Sequence, residues 1–460
     1  MQEEHHAEKS HIIVGGGLAG LFSARVLLSR GASNIYVIEK SSSTGGFLQH
    51  ITAIDPLKDG RNFDFDFGTH FILCPKEEGI RDLLAEDLDL SQYHVYEQSL
   101  QEGHVLNGQV YDSSGCANIS AFPADVQIKI VEDLRVLHNS ADKQEECHDL
   151  LGHCHQRYGK TATELIYQPS YEKFTGVGMS VLPVSVESFF APSRLIIKDR
   201  EESKNLKKDA DWDWRIAYAD CRDGNSDIIK YYPKKSGIGF WLNTMADNLR
   251  AKGVTILTET EISSIEEDNG SIKSVTLSNN TSLPCQQLIW SLPAIFLATL
   301  TKTLVPSQRP IMRHVTVVNI LTDKKPIERP YWMTIYDKHR KSYRVTLYNN
   351  FAPTDSDVYR ITVEILHDGN SQIDDAFSDH VFTELKEMKI VDSTAKKLWS
   401  DCANKKDGFP IVSQENKDIY IEQHRILENK YKNVEIVGRR PDIGFGQIPI
   451  MQHIYDKLQR

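Results

Sequence analysis

The sequence predicts an α/β fold: a parallel sheet near the N-terminus, interrupted by an inserted region of helices and antiparallel strands. Three observations predict it. A glycine-rich turn joins an apolar segment to a helical one between His11 and Phe47. Runs rich in β-branched and aromatic residues follow one another within 311–366. An apolar strand, a glycine-bearing loop and a helix extend from Val434 to Leu458. We therefore expect both end segments to meet in one layer, with the middle of the chain outside it.

The N-terminal unit is predicted to be a strand (Ile12–Val14), a glycine-rich turn, a helix of about four turns and a second strand (Ile35–Ile38). Its glycines, Gly15, Gly17 and Gly20, follow the G-x-G-x-x-G pattern in the strand–turn–helix context that makes the pattern informative. Gly15 permits the tight turn, Gly17 lets a diphosphate approach the backbone, and Gly20 lets the helix lie close to the strand. The unit therefore predicts a Rossmann-like dinucleotide-binding domain.

Residues beside this turn complete the predicted nucleotide site. At the helix start, the N–H groups of Leu18 and Ala19 and the helix dipole favour negative phosphates. Glu39 ends the second strand, about twenty residues past the glycines, where a carboxylate binds ribose hydroxyl groups and repels the 2′-phosphate of NADP. Lys40 follows it. The alternative is a glycine-rich hairpin beside an ordinary surface glutamate, which leaves the register of strand, turn, helix and acid unexplained.

Length and composition exclude several classes of protein. The 460 residues suffice for two or three domains, and a composition with 40% hydrophobic and 25% charged residues is that of an ordinary globular protein. The net charge of −11 disfavours nucleic acid and anionic membranes as main partners. No apolar run reaches the roughly eighteen residues that span a bilayer, and the N-terminus is polar and acidic, unlike an export signal. We therefore expect a cytoplasmic protein.

The cysteines and histidines indicate neither a disulfide framework nor a metal site. The chain has 7 cysteines, an odd number scattered singly, which favours reduced thiols. The densest group of possible ligands lies between Cys147 and His155, but it lacks the paired spacing of zinc sites and falls in a predicted helix. We expect no bound metal.

Two later segments are candidates to contact the same ligand. The hydroxyl groups and glycines of Ser41–Gly46 suit a loop that folds over a ribose or a phosphate, although a plain flexible loop has the same composition. In Phe63–Phe71, alternating aromatic and acidic residues predict a strand with one buried face. Gly68 interrupts it where Thr69 and His70 emerge, and a glycine there lets the backbone approach a flat ligand. The alternative for His70 is an ordinary buried histidine.

The pattern is mostly helical from Glu77 to Tyr158, which predicts the start of an inserted substrate domain. The next segment, 162–196, combines aromatic residues, a glycine and cations, namely Tyr171, Lys173, Phe174, Gly176, Phe189, Phe190 and Arg194. This mixture suits a pocket floor that stacks on a ring and pairs with an anion. A hydrophobic core with a few surface cations is the alternative. The charge-dense segment 199–214 is predicted to be a solvated loop, or a lid beside the pocket.

The chain is then predicted to return to the first domain. A helix over 241–252 leads into strands joined by a tight Asn269–Gly270 turn. The strands of 311–366 are predicted to form an antiparallel sheet that walls the substrate site. Helical character is predicted to resume around 374–400, and Gly438–Arg439 lie between the last predicted strand and the last predicted helix. That closing unit either brings a helix dipole and a cation to the ligand or merely completes the sheet.

Taken together, these segments resemble the superfamily of FAD-dependent amine oxidases, protoporphyrinogen oxidases and UDP-galactopyranose mutases. The segments are the βαβ unit with Glu39, the TGG loop, DFGTH, LIWSLPA at 288–294 and VGRR before the last helix. YEKFTG and YYPKKSGIGFW are most like the mutase branch. The resemblance implies a Rossmann-like FAD-binding domain of the GR2 type with an inserted mixed helical and antiparallel-sheet substrate domain. The expected division is 10–75, 230–300 and 425–460 for the first, and 76–229 and 301–424 for the second.

The resemblance also implies FAD contacts along both end segments. The implied contacts are Gly15, Gly17 and Gly20 with the diphosphate; Gly45 and Gly46 with the phosphates; Glu39 with the adenosine ribose; backbone around Ile262 with the adenine; and Gly438 and Arg439 with the ribityl diphosphate. His70 would lie beside the isoalloxazine. Phe47, Gly68 and Thr69 are further candidates for binding the cofactor. The N–H groups of Gln447 and Ile448 would stabilise the anionic reduced ring.

The sequence departs from the superfamily pattern at several positions. Gly444–Gln447 stands where the mutase branch carries a tyrosine-rich motif and a second arginine, and the amine-oxidase aromatic cage is not recognisable. Cys402 is far from Gly438, so a cysteinyl-linked flavin is not expected and FAD should be non-covalent.

Three functions are compatible with these features. The first is oxidation of a small molecule, such as an amine, by hydride transfer to flavin N5, with His70 and Arg194 as candidate catalytic residues. The second is a mutase-like reaction on a nucleotide sugar without net oxidation, in which Arg194 or another cation holds the diphosphate. The third is a non-catalytic FAD-binding protein. The sequence leaves the substrate, the electron acceptor and the oligomeric state open.

We expect the substitution Gly17→Val to abolish FAD binding, because a side chain there would occupy the space of the diphosphate. The measurement is the flavin absorbance of the purified variant after incubation with excess FAD and removal of free FAD. Full occupancy in the valine variant would contradict the predicted binding turn.

Overall fold

The structure, a computed structural model, describes residues 10–76, 78–140, 147–187, 194–218, 225–354, 356–369, 373–440, 442–444 and 446–459. The strands are β1 (Ser10–Val14), β2 (Ile35–Ile38), β3 (His50–Ala53), β4 (Phe63–Asp66), β5 (Ile72–Pro75), β6 (Tyr93–Gln98), β7 (Glu102–Leu106), β8 (Gln109–Tyr111), β9 (Ala117–Asn118), β10 (Leu195–Ile196), β11 (Asn225–Pro233), β12 (Thr255–Leu257), β13 (Ile262–Asp268), β14 (Ser271–Leu277), β15 (Ser282–Trp290), β16 (Ile311–Thr322), β17 (Trp332–Ile335), β18 (Arg344–Leu347), β19 (Tyr359–His367), β20 (Lys397–Ile411) and β21 (Val434–Ile436). The α-helices are α1 (Leu18–Ser29), α2 (Ile80–Ala85), α3 (Ala124–Asn139), α4 (Leu150–Ala162), α5 (Gln168–Thr175), α6 (Arg200–Leu206), α7 (Ala210–Arg215), α8 (Gly239–Ala251), α9 (Ala294–Leu300), α10 (Tyr348–Phe351), α11 (Asp375–Glu387), α12 (Gln414–Lys430) and α13 (Gln447–Leu458).

The first sheet joins the N-terminal and C-terminal segments. Its parallel strands run in the order β12, β2, β1, β15 and β21. Because side chains alternate along a strand, Ile13 and Ile289 pack against α1 and α8, whereas Ile12 and Leu288 pack on the other face against α9 and α12. Helix α13 lies against α1. The predicted Rossmann-like α/β fold is confirmed.

The hairpin of β13 and β14 continues the first sheet in antiparallel fashion from the first half of β15. Its turn residues, Asn269 and Gly270, have φ of +50° and +71°. Two consecutive positive φ values are those of the tight turn that Asn-Gly favours. The sequence prediction of this turn is confirmed.

The second sheet runs in the order β20, β16, β19, β18, β17, β7 and β8, and its neighbours are antiparallel except β17 and β7. One face packs Val318, Val345 and Val363 against α11. Side chains alternate, so Arg344 and Glu364 lie on the opposite face. That face meets the segment that follows β4. The antiparallel sheet expected over 311–366 is confirmed.

The prediction of mostly helical structure from Glu77 to Tyr158 is wrong in part. Strands β6, β7 and β8 lie within it, and the aromatic and β-branched residues Tyr93, Val95 and Tyr96 were an available signal for a strand. Strand β11 joins β6 to β5, so this three-stranded sheet crosses the expected domain limits near 75 and 230. The division into two domains therefore stays a proposal.

The helical region packs its own core of aromatic residues. Tyr171 and Phe174 are fully buried among residues of α4 and neighbouring elements, and Lys173 Nζ donates to three backbone carbonyl groups around the β17–β18 turn. These residues form core, the alternative to a pocket floor, while Phe189 and Phe190 lie outside the described residues. The expected solvated loop at 199–214 instead contains α6 and α7, capped by Asp199 and Asp209.

No helix in the described parts of the chain is both long and apolar enough to cross a bilayer.

We expect Gly20→Ala to destabilise the fold. A Cβ there would overlap the carbonyl oxygen of Gly15, a backbone atom that cannot move aside. Overpacking costs about 1–3 kcal/mol, which exceeds the roughly 0.5–1 kcal/mol that alanine gains over glycine within a helix. Urea denaturation without cofactor measures the free energy of unfolding.

The matched control is Gly178→Ala, because an added Cβ at Gly178 meets no atom within 4 Å and its φ is −69°. Equal free energies of unfolding for the Gly20 variant and the wild type would contradict the close approach of helix and strand.

Candidate functional site

The glycine turn between β1 and α1 has the geometry that a phosphate site requires. Gly15 has φ of +101°. Its N–H donates to the Ile38 carbonyl oxygen, at the end of β2, at 2.8 Å. Gly17 caps α1 without a side-chain hydrogen bond, so the first N–H groups, including those of Leu18 and Ala19, have no capping side chain. A Cβ at Gly17 would meet only the Gly46 Cα, at 4.0 Å. The space before the helix start is therefore open to an anion.

Glu39 faces this turn from beyond the end of β2. Its Oε2 accepts a hydrogen bond from the Gly16 N–H at 2.6 Å, and its Oε1 accepts one from the Ser41 N–H at 2.7 Å. Each carboxylate oxygen keeps a further lone pair, which can accept from a ribose hydroxyl group. Lys40 instead forms an exposed ion pair with Glu261 at 3.0 Å. The structure thus separates Lys40 from the contacts that Glu39 makes.

The segment before β13 runs beside Glu39. The Thr260 N–H donates to the Glu39 carbonyl oxygen at 3.0 Å. Ile262 begins β13, is buried and pairs with Leu277 of β14. Ile262 therefore lies close to a direct contact with Glu39, and the resemblance implies that the backbone there lies near an adenine.

The loop before β3 lies over the glycine turn. The Gly45 N–H donates to the Gly16 carbonyl oxygen at 2.8 Å, and a Cβ at Gly46 would lie 3.5 Å from the Gly17 Cα. Gly45 and Gly46 have φ of +114° and +60°, conformations that favour glycine. Phe47 follows at the mouth of this loop. The two glycine segments thus form facing walls.

The residues after β21 meet the same edge of the sheet. A Cβ at Gly438 would lie 2.6 Å from the Ser291 carbonyl oxygen, so only glycine fits. The Arg439 guanidinium carbon lies 5.3 Å from the centroid of the Phe47 ring. Burial lowers the pKa of Arg439, although the side chain is exposed to solvent. Arg439 is therefore a cation that solvent reaches beside the glycine loop, and we call the region around Gly17, Gly46, Phe47 and Arg439 the cleft.

The segment after β4 packs on an ion pair of the second sheet, in which the carboxylate is buried and the arginine is half-buried. Arg344 and Glu364 are opposite each other on β18 and β19, and Arg344 Nε and Nη2 lie 2.5 and 2.7 Å from the two Glu364 oxygens. The same carboxylate accepts the Thr69 N–H at 3.1 Å. Gly68 has φ of +100°, and a Cβ there would lie 2.5 Å from Glu364 Cδ. The backbone is therefore held directly against the carboxylate.

His70 is fixed just beyond this contact. Its Nε2 lies 3.1 Å from the Phe67 carbonyl oxygen, to which it donates. Burial, with the nearby Arg344 cation, lowers the pKa of His70 to about 4, while the ring is only half-buried from solvent. The imidazole is therefore neutral at pH 7 and lies on the wall of the cleft.

Helix α13 begins beside His70. It has no side-chain cap, so the N–H groups of Gln447 and Ile448 at its start have no capping side chain. The Gln447 side chain instead holds the neighbouring strand: Nε2 donates to the Phe71 carbonyl oxygen at 2.7 Å, and Oε1 accepts the Leu73 N–H at 3.1 Å. These bonds place the start of the last helix next to the residue that follows His70.

Arg194 is not brought to these residues. Its Nε donates to the Asp213 carbonyl oxygen at 2.7 Å, and Nη2 lies 3.6 Å from the Asp213 carboxylate. Among the described residues, its polar contacts are with Asp213, and none joins it to His70 or Arg439. A catalytic role for Arg194 stays a prediction without geometric support.

Sequence analysis missed charged residues on the second sheet. The Arg344–Glu364 pair is one example, and Glu102 of β7 is another. In the sheet, Trp332 pairs with Glu102 on one side and with Thr346 on the other. The hydroxyl group of Thr346 lies 2.6 Å from that of Thr69 and bonds to it. Burial raises the pKa of Glu102 to about 7, while Arg344 opposes that rise, and the side chain remains partly open to solvent. Polar residues recurring at every second position of apolar strands were the available signal.

A metal centre finds no support in the described parts of the chain, where no three His, Cys, Asp or Glu side chains are placed to hold an ion. Within the cluster considered for zinc, His153 bonds to Glu187 at 3.1 Å and Cys154 is buried in the helical core.

The observed residues fit a bound dinucleotide. The glycine walls and the uncapped start of α1 suit a diphosphate, and Glu39 keeps lone pairs for a ribose. Across the cleft, the uncapped start of α13 and the cation of Arg439 lie near His70 and Thr69. The structure brings together in one region most of the predicted cofactor-binding residues: Gly15, Gly17, Gly20, Glu39, Gly45, Gly46, Phe47, Gly68, Thr69, His70, Gly438, Arg439, Gln447 and Ile448. Their contacts with a cofactor stay a prediction.

Comparisons with known proteins agree with this architecture. Residues 13–86 match the family model of the NAD(P)-binding Rossmann-like domain. A search of curated protein sequences finds no match. Among solved structures, the chain is similar to reduced UDP-galactopyranose mutase, with a TM-score of 0.76 and 14% identity over 98% of this chain and 93% of that one.

Two further solved structures share the fold. A provisionally named protoporphyrinogen oxidase from Exiguobacterium sp. 255-15 has a TM-score of 0.70 and 14% identity, over 98% of each chain. An oxidoreductase from Methanosarcina mazei has a TM-score of 0.58 and 14% identity, over 98% of this chain and 100% of that one. The chain therefore shares the fold of these solved structures along nearly its whole length.

We expect His70→Gln to reduce the loss of stability at acid pH. The pKa of His70 is about 4 in the folded protein and 6.5 in the unfolded chain, so between these values the unfolded state binds more protons. The contribution of His70 to stability is complete above pH 6.5 and is lost as the pH falls toward 4. Glutamine does not titrate and still donates to the Phe67 carbonyl. Urea denaturation at several pH values between 4 and 7 measures the slope.

The control is His380→Gln, because the His380 side chain is 56% exposed. A His70 variant whose free energy of unfolding falls as steeply toward acid pH as that of the wild type would contradict a neutral, half-buried imidazole.

Proposed function

We propose that this protein is a FAD-dependent oxidoreductase that oxidises a small-molecule substrate by hydride transfer to flavin N5. One observation carries the proposal: the end segments of the chain supply Gly17, Arg439 and the start of α13 to one cleft, and the polar face of the second sheet lies across it through Thr69 and Glu364. Solved structures with this fold include an oxidoreductase and a provisionally named protoporphyrinogen oxidase.

The proposal of FAD, bound without a covalent link, rests on the far end of the cleft. The first glycine turn and Glu39 serve any dinucleotide. Arg439 and the uncapped start of α13 are additional anion-stabilising groups, and they suit the ribityl and pyrimidine parts of a flavin. The cofactor would supply the hydride acceptor, and the protein would supply orientation and electrostatics.

The side chains that we propose to act in the reaction differ in protonation. His70 is neutral at pH 7, so it offers hydrogen bonds without charge. Glu102 has a pKa of about 7, which suits exchange of a proton near neutral pH. Thr69 is hydrogen-bonded to both Glu364 and Thr346, and these bonds fix the position of Thr69. We propose Glu102 as the candidate acid or base, with His70 as the group that orients the substrate.

We also propose a cytoplasmic location. Among the described cysteines, Cys74, Cys154, Cys285 and Cys402 are free thiols. Reduced thiols are usual in the cytosol. The proposed partner is the small-molecule substrate itself.

A second candidate function is a mutase-like reaction on a nucleotide sugar without net oxidation. The likeness to reduced UDP-galactopyranose mutase, with a TM-score of 0.76, favours it. In that reaction the cations of the cleft would hold the substrate diphosphate.

Reconstitution separates these functions. The purified protein is loaded with FAD and mixed anaerobically with a library of amines and other small reductants, while the flavin absorbance is recorded. Bleaching by a substrate, followed by recovery with dioxygen or a dye, is the result we expect. The Gly17→Val variant, treated in the same way, controls for free flavin.

The remaining outcomes count against the proposal. Turnover of a nucleotide sugar only after dithionite reduction would replace oxidation with the mutase-like reaction. Tight FAD binding with no reaction in either assay would indicate a non-catalytic flavoprotein. A protein that neither binds FAD nor is stabilised by it would overturn the proposed function as a whole.

A further inference from the structure

Lys405 lies on the strand of the second sheet that reaches the cofactor end of the cleft. On β20, Lys405 pairs with Val315 of β16, and the next pair is Phe409 with Arg313. Three residues of β20 therefore oppose one residue of β16. A bulge of this kind bends the strand and re-aims the side chains beside it.

The ammonium group of Lys405 leaves its own sheet and contacts the first domain. Nζ lies 4.2 Å from the centroid of the Phe47 ring and 5.4 Å from that of Phe67. Phe47 follows Gly46, and Gly46 faces Gly17 across the predicted phosphate channel. The Lys405 ammonium group therefore lies beside the loop that covers the glycine turn.

Positively charged groups outnumber carboxylates around Lys405. Arg439 stacks on the same Phe47 ring, with its guanidinium carbon 5.3 Å from the centroid. Among the described residues, neither cation has a carboxylate ion-pair partner. Burial lowers the pKa of Lys405, Glu39 raises it and Arg439 lowers it further. Glu39 already accepts two backbone N–H groups, so two cations and a helix N-terminus face one carboxylate.

Two neighbouring cations repel each other, and a divalent anion between them relieves that repulsion. The nearby glycine walls and the uncapped start of α1 favour the same kind of ligand. A diphosphate carries two negative charges and can be reached from both sides of such a channel. An ordinary surface lysine would instead extend into water, where its charge is fully hydrated.

We propose that Lys405 binds the diphosphate of the dinucleotide from the second sheet, opposite the N–H groups of α1. This inference rests on the proposed function only in taking the cofactor to be FAD. Lys405 then joins the inserted region to the cofactor, so that FAD is held between the two sheets. Lys405 would be a cofactor-binding residue supplied by β20, a strand with no part in the glycine turn.

The test is the affinity of the cofactor-free protein for FAD, measured by quenching of flavin fluorescence. We expect Lys405→Met to weaken FAD binding by about tenfold to a hundredfold, the range for loss of a charged hydrogen bond. Lys405→Arg should stay close to wild type. Lys406→Met is the matched control, because Lys406 is exposed and its loss changes the net charge equally.

Fragments of the cofactor identify the group that Lys405 binds. ADP should lose affinity for the Lys405→Met variant as FAD does, whereas riboflavin, which has no phosphate, should bind both proteins equally. Equal FAD affinities of the Lys405→Met variant and the wild type would overturn the inference. A loss of riboflavin affinity in the variant as large as its loss of FAD affinity would overturn it too. If the wild type itself binds no FAD, the proposed function fails together with this inference.

Discussion

The structure depends on a close steric contact where three strands end. The Ser291 Oγ donates to the Val14 carbonyl oxygen at 2.6 Å, and it fills the space that a Cβ on Gly15 would need. The Ser291 carbonyl oxygen fills the corresponding space at Gly438. Strands β1, β15 and β21 can therefore end together only with glycine at both outer positions. Their contact brings the starts of α1 and α13 to one edge of the sheet, which is where open α/β sheets bind ligands.

A second contact joins the two sheets. Glu364 is buried, accepts Arg344 through both oxygens and also accepts the Thr69 N–H. Loss of one partner from a buried ion pair typically costs about 3–5 kcal/mol, because it leaves an uncompensated charge. The position of His70 follows from the same carboxylate, since Gly68 and Thr69 rest on it. The geometry of the cleft therefore depends on residues that would not themselves touch a ligand.

The glycine turn and the acid beside it could be predicted from local patterns in the sequence. Gly15, Gly17, Gly20 and Glu39 belong to one βαβ unit, in which spacing along the chain fixes position in space. The Asn269–Gly270 turn was predictable for the same reason. In contrast, Arg344 and Glu364 meet through the register of two strands, and that register is not written in either strand alone.

Other features lacked a clear periodic signal. Strand β20 has the sequence KLWSDCANKKDGFPI, whose charged residues and bulge hide the alternation of a strand, so Lys405 was not recognised. Aromatic residues such as Tyr171 and Phe174 are equally common in pockets and in cores, and only packing shows that they form core. Arg194 was chosen by composition, and its carboxylate partner Asp213 could not be inferred from spacing.

The order of strands in the first sheet has a consequence for biosynthesis. Strand β15 lies between β1 and β21, so its edge at Leu288–Trp290 stays unpaired until Val434–Ile436 has left the ribosome. Until then this apolar edge of β15 is exposed in a nascent chain, where it is a site for chaperones or for aggregation.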